Sequence, residues 1–120
     1  MYNSFTDMPV WQKAIELAEE IFLMTANLPR SEDYGLTSQI RRSSNSVPAN
    51  VAEAFGRNTS KEKSSIYIIA RGSAYETQSH LLYGQRIGYF DATKTQNLVN
   101  DYNDLIHELN KILKTLRSKG

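Results

Sequence analysis

The stretch Tyr34–Arg57, YGLTSQIRRSSNSVPANVAEAFGR, leaves the chain little choice but to be helical, because apolar and polar residues recur there at helical spacing on separate sides. At about 100° per residue, Leu36, Ile40, Val47, Val51 and Phe55 form a core-facing stripe. A second side carries Gln39, Arg42, Ser46, Asn50, Glu53 and Arg57, so that guanidiniums and a carboxylate interleave with neutral hydrogen-bonding groups. The third side, with Ser38, Asn45, Ala49, Ala52 and Gly56, is short enough to let another helix approach the backbone. Pro48 interrupts the pattern: it has no N–H to donate and its ring presses on the Ser44 carbonyl. A kink or break is therefore expected there, with the hydroxyls of Ser43, Ser44 and Ser46 placed to re-satisfy the freed carbonyl.

Three more helices follow from the same reasoning. Asp7 as N-cap and Pro9 in the first turn start one, with Trp11, Ile15, Ala18 and Phe22 turned inward beside Ala14, Leu17 and Ile21. Asn27–Asp33 reads as a loop in which Pro29 closes that helix and Ser31 or Asp33 caps the next. Thr59-Ser60-Lys61-Glu62 has the order of a capping box and starts a long helix near Ser60. Its core stripe reads Ile66, Ile69, Ala70, Ser73, Thr77 and Leu81, continuing through Gly84 and Ile87. Asp91 caps the last helix, whose Leu98, Tyr102, Leu105, Leu109, Ile112 and Leu116 form a heptad seam widened by Val99, Ile106 and Leu113. No stretch of useful length alternates as a strand does, and four helices joined by short loops predict an all-α, antiparallel up-down-up-down bundle. A length of 120 residues suits a single domain, spanning 1–120.

The long third helix has a second apolar side. Nearly opposite its core stripe lie Ile68, Tyr75, Leu82 and Tyr89, spaced seven apart. A small bundle has nowhere to bury such a side except against another chain, so these four are the expected oligomer interface.

Catalysis is not expected. His80 and His107 have no carboxylate or second histidine at ligand spacing, and Glu53 and Glu76 lack the histidine three residues on that a bundle diiron site requires. The glycines form no phosphate-cradling loop and the serines no nucleophile elbow, so neither an enzyme nor a cofactor is expected. With no cysteine there are no disulfides. The absence of a membrane-length apolar run and of a signal-like start in MYNSFTDMP leads to an expected cytoplasmic location with no membrane partner.

The net charge of +1 hides an uneven distribution. One base faces four acids up to Pro29, and eight bases face five acids from Arg30 to Arg86. Arg57, Lys61, Lys63 and Arg71, joined by Lys111, Lys114 and Arg117 near the C-terminus, are the candidate nucleic-acid contacts, with Tyr67 among them as a residue able to stack on a base. The tail bases also complement the dipole of the last helix. Arg41, Arg42, Asn50, Glu53, Ser73 and Glu76 have two readings: a polar network that fixes helix register, or arginines presented to phosphates.

Several of these segments together resemble a known family. Tyr34-Gly35-Leu36, Gln39-Ile40-Arg41-Arg42, Ser46-Val47-Pro48, Asn50-Val51-Ala52-Glu53 and Gly56-Arg57 are similar to the signature of small bacterial four-helix-bundle proteins encoded in 23S rRNA intervening sequences. Val10-Trp11-Gln12-Lys13-Ala14, the run YIIARGSAYE from Tyr67 to Glu76, and Ile87-Gly88-Tyr89 extend the resemblance along the chain. Ala54 departs from it, standing where the family usually has glycine. The resemblance implies a five-fold ring of subunits. Accessory proteins of diversity-generating retroelements are similar to this family, which implies RNA or DNA and, by analogy, a reverse transcriptase as partners. Without any nucleic-acid role, the same surfaces would make a protein-protein adaptor.

Overall fold

Each helix begins where the sequence supplies a means of starting it. Pro9 occupies the first turn of α1 (Pro9–Met24), following a 3-10 turn at Phe5–Asp7, and Met8 rather than Asp7 is the N-cap. Thr59 and Glu62 form the expected capping box at the head of α3 (Ser60–Arg86), and the Asp91 carboxylate accepts from the Lys94 amide at the head of α4 (Ala92–Ser118). The start of α2 (Leu36–Phe55) differs from expectation: neither Ser31 nor Asp33 caps it. Glu32, at the end of a 3-10 turn over Arg30–Glu32, reaches forward to accept from the Leu36 amide at 3.0 Å.

The computed structural model describes residues 2–119 as an antiparallel four-helix bundle of 46 × 22 × 21 Å, with no strand among the described residues. The helices form a square in which α2 and α4 each touch α1 and α3, while α1 and α3 stand on the diagonal and do not meet. The α2–α3 interface is the most extensive and the α1–α4 seam the thinnest. No helix among the described residues is long and apolar enough to cross a membrane.

The core of α4 is the expected seam, with Leu98, Tyr102, Leu105 and Leu109 buried and Ile112 and Leu116 half-buried. α2 likewise buries its expected stripe, with Leu36, Ile40, Val47 and Val51 buried and Phe55 half-buried, whereas α1 and α3 are rotated from their expected settings. In α1 the flank is the true centre: Ala14, Leu17 and Ile21 are buried, joined by Val10, while Trp11, Ile15 and Ala18 are half-buried and Phe22 is exposed. In α3, Ile69 and Ile87 turn outward and Tyr67 and Gln78 go in, so Tyr67 is not available to stack on a base. The cause is steric: Ala70, Ser73, Ala74, Thr77 and Gly84 are what α2 and α4 can approach closely, and they draw the small side of α3 inward.

Pro48 is buried within an unbroken α2. None of the three serines bonds the Ser44 carbonyl: Ser43 Oγ donates to Ile40 O, Ser44 Oγ to Arg41 O, and Ser46 turns to α3. The serines serve the interface instead. Ser43 and Thr77 share a hydrogen bond of 2.8 Å, Ser46 and Ser73 one of 2.9 Å, and Asn50 donates to both the carbonyl and the hydroxyl of Ser46. This hydroxyl zip satisfies polar groups that would otherwise be costly between two close helices. The third side of α2, from Ser38 to Gly56, faces away from the other helices and is largely exposed.

Candidate interaction surface

The antiparallel order brings the C-terminus of α2, the N-terminus of α3 and the C-terminus of α4 to one end of the bundle. Most of the candidate phosphate contacts gather there, but they are not equivalent. Arg57 pairs with Glu53 at 2.7 Å, which raises its already high pKa further, chiefly through that hydrogen bond. Lys63 donates to the carbonyls of Ala54 and Phe55 at 3.1 Å each, closing the C-terminus of α2. Lys111 faces Glu108 at 3.4 Å. Arg57 and Lys111 are thus paired with carboxylates of the same chain, while the Lys63 ammonium is held by two neutral carbonyls at a helix C-terminus.

Lys61, Lys114 and Arg117 have no carboxylate partner among the described residues, and Arg71 binds only the neutral side chain of Asn110, at 2.9 Å. Lys61 and Arg117 line opposite sides of a groove of about 280 Å³ between the first turns of α3 and the last turns of α4, with Ser60, Ser64 and Ile68 alongside. The positive end of the α3 dipole points to the same place. Phosphate oxygens would find there two cations and two hydroxyls, beside a helix terminus that Thr59 and Glu62 already cap.

The polar residues of α2 and α3 separate into three groups. Arg42 forms an ion pair with Glu76, whose Oε2 also lies 3.3 Å from His80 Nε2, so a carboxylate does stand one turn before His80, contrary to expectation. The pair is half-exposed, so it contributes about 0–1 kcal/mol. Asn50 and Ser73 belong to the hydroxyl zip, and Glu53 belongs to Arg57. Arg41 points the other way. Its Nε donates to Thr25 Oγ1 at 2.8 Å, its Nη2 to the Phe22 carbonyl at 3.3 Å, and its guanidinium stacks 4.2 Å from the Phe22 ring centroid. It thereby closes the C-terminus of α1, a role invisible from α2 alone. A second groove, of about 390 Å³, opens beside it, lined by Ile15, Ala18, Glu19, Phe22, Ser44 and Asn45.

The outward side of α3 is apolar, as its sequence leads one to expect, and broader. Ile68, Tyr75 and Leu82 are 49%, 53% and 42% exposed. Ile69, Tyr83 and Ile87 widen the face on the side of α2. Ile69 and Ile87 had a place in the core by periodicity, and Tyr83 carried no signal beyond its aromatic ring. Tyr89 lies beyond the helix, where its hydroxyl donates to Glu32 Oε2 at 3.0 Å; that bond, more than burial, holds its pKa above the ordinary phenol value. Tyr89 thus ties the α3–α4 turn to the α1–α2 connection and stands apart from the free face. Gly72 lies in the middle of the face, and a Cβ built on it would meet nothing within 4 Å.

Among known proteins, a family model described as 23S rRNA-intervening sequence protein matches residues 6–111. A solved structure of a protein with unknown function, from the S23 ribosomal protein family of Bacteroides thetaiotaomicron, is similar to this bundle with a TM-score of 0.78 and 26% sequence identity. The match covers 88% of this chain and 98% of that one. No curated protein matches the sequence.

Proposed function

Since the chain belongs to the 23S rRNA-intervening sequence protein family, we propose that it acts without catalysis, as a self-assembling scaffold of identical bundles that holds nucleic acid on a basic rim. The observation that carries the assembly is the outward face of α3. A glycine in mid-helix costs about 1 kcal/mol relative to alanine, and at Gly72 no neighbour in the same chain requires it. A backbone approaching from outside would. Full burial of an apolar side chain is worth roughly 1.5–3 kcal/mol. The six on this face are already about half buried, so together they contribute on the order of 6 kcal/mol. Association costs about 4–15 kcal/mol, so a matching apolar surface on the partner has to supply the rest. A ring of five copies is what the family resemblance adds.

Tyr75→Glu or Leu82→Glu places a carboxylate in this contact without touching the core of the subunit. Either change should reduce the native mass, by light scattering, from a multiple of 13.7 kDa to 13.7 kDa itself. An unaltered mass would remove the α3 face from the assembly.

The groove between Lys61 and Arg117, with Arg71 and Lys114 nearby, supports the nucleic-acid part of the reading, and repetition around a ring would multiply a modest charge. With four phosphates neutralised, affinity for single-stranded RNA should fall about 60-fold between 50 and 200 mM salt, a logarithmic slope of about −3. Reversing Lys61 and Arg117 to glutamate should cost roughly half of that slope, whereas reversing Arg57, already paired, should change it little. A flat salt response would leave the adaptor reading, with other copies and protein partners alone. A reverse transcriptase remains the analogous candidate partner, and competition for the RNA site is its simplest test.

A further inference from the structure

We infer that the bases of a single nucleic-acid strand seat in two grooves flanking the last turns of α4, with the sugar-phosphate backbone crossing the helix between them. This rests on the nucleic-acid part of the reading above and adds which form of nucleic acid is held and by what. Three observations converge on it.

The first is the pair of grooves. The one already described, between α3 and α4, has Leu113 and Leu116 in its lining together with the cations of Lys61 and Arg117. Another groove, of about 300 Å³, opens on the other flank of α4, where Met8, Ile112 and Leu116 are joined by Tyr2 and Lys119. Leu116 lines both. The aliphatic side chains are recessed: Met8 and Leu113 are buried, and Ile112 and Leu116 are half-buried.

The second is the run of cations between them. At 100° per residue, Arg117, Lys114, Lys111 and Lys119 succeed one another around the outward side of α4 at steps of roughly 60–80°. Lys111 faces Glu108, which also lines the second groove, whereas Lys114, Arg117 and Lys119 have no carboxylate partner among the described residues. A phosphate chain passing over the helix from one groove to the other would meet a cation at each step.

The third is an aromatic ring. Tyr67 is buried, but Tyr2 is 44% exposed and lines the second groove. A base entering that groove can stack on it whatever the sequence, because every base has a π-face.

Taken together these features choose among anionic ligands. In a duplex the bases are paired and stacked and present only their edges, so they cannot reach the floor of a groove. A membrane surface would meet the cations, but anchoring in it takes apolar side chains that protrude, and those of Leu113 and Leu116 are set back. A single strand offers turned-out bases and phosphates at once.

Fluorescence anisotropy at low salt tests this with three ligands: a short single-stranded RNA of mixed sequence, its blunt duplex, and a strand of the same length and charge whose bases are replaced by hydrogen. The intact strand should bind about tenfold more tightly than the abasic one, a difference within reach of two partly buried bases. It should also bind more tightly than the duplex, despite the duplex's greater charge. Intact and abasic strands should share one salt slope, since the slope counts phosphates. Tyr2→Ala removes an exposed ring outside the four helices, and Leu116→Ser removes the side chain common to both grooves; each should shrink the preference for the intact strand by about threefold or more. Circular dichroism confirms that Leu116→Ser stays helical, and Tyr2→Ala carries the test if it does not. An abasic strand that binds as tightly as the intact one overturns the seating of bases and leaves the basic rim standing. So does a full preference retained in the variants, or a duplex that binds more tightly than the single strand. Binding to phosphatidylserine vesicles that Tyr2→Ala abolishes would assign the grooves to lipid and overturn the inference as well. If none of the three ligands binds, the nucleic-acid reading falls, and this inference with it.

Discussion

Tyr102→Ala should lower the unfolding free energy by about 3–5 kcal/mol, the range for emptying a large buried aromatic site, whereas Tyr102→Phe should raise it. The ring is fully enclosed, at 0% exposure, so truncation leaves a cavity that four close helices cannot collapse. The hydroxyl is a different matter: it is buried with no hydrogen bond of ordinary geometry among the described residues, although the Thr77 side chain beside it acts to lower the phenol pKa. Thr77, on the facing helix, is already engaged with Ser43 and with the Ser73 carbonyl. A buried hydroxyl left unbonded costs about 1–3 kcal/mol, and phenylalanine removes that cost without opening a cavity. Urea titration of both variants separates the two effects, and a Tyr102→Phe chain less stable by more than 1 kcal/mol would show that the hydroxyl is bonded after all. The same residue gives a pH dependence. Burial first, and the charge of Glu20 second, push the Tyr102 pKa well above its ordinary value of 10. Below pH 10 this contribution is intact. As pH rises past 10, the unfolded phenol ionises while the folded one keeps its proton, so stability falls. Tyr102→Phe should flatten that alkaline decline, and what persists belongs in part to Tyr67, raised likewise by burial.

Gly84→Ala should destabilise the chain clearly, though less than removing the aromatic ring packed over it. A Cβ on Gly84 would lie 2.3 Å from two ring carbons of Phe90. Retreat is blocked from both sides, because Phe90 is itself buried and the amides of Tyr89 and Phe90 both bond the Gly84 carbonyl, at 2.8 and 3.3 Å. Displacing the ring should cost about 1–3 kcal/mol, as other overpacked sites do. Phe90→Ala alone should cost about 3–5 kcal/mol. The double variant should cost no more than Phe90→Ala, since alanine then occupies vacated space and favours the helix by up to about 1 kcal/mol over glycine. Additive losses in that cycle would mean that Gly84 matters for some reason other than Phe90.

Helix identity was legible in the residues, and helix rotation only partly. The seam of α4 reads correctly because every apolar residue in it lies on one side, so there is one way to bury them. In α3, Ile69 and Ala70 are neighbours with opposite fates, exposed and buried. Hydrophobicity alone favours Ile69; packing favours the residue that lets α2 approach, and close approach wins because it also buries everything around it. The caps from Thr59 and Asp91 are local and were readable, while Glu32 acts across four residues in place of the expected Ser31 or Asp33. The charged candidates show the limit most clearly. Arg57 and Lys111 have a glutamate one turn away along the chain, but the engagement of Lys63 with the Ala54 and Phe55 carbonyls shows only in the folded bundle. Arg41 and Arg42 are adjacent, yet one closes α1 and the other pairs with α3.

The thin α1–α4 seam bears on how the molecule opens. Every other helix contact joins neighbours along the chain, so those contacts form with short loops, and α2 with α3 gains its hydroxyl zip as it closes. The α1–α4 seam joins the ends of the chain, and the only ion pair across it among the described residues is Lys13 with Asp101 at 3.9 Å. Local opening should therefore begin at α1. Its amides should exchange with solvent at a lower free energy than those of α2 and α3, which should open only with the whole molecule.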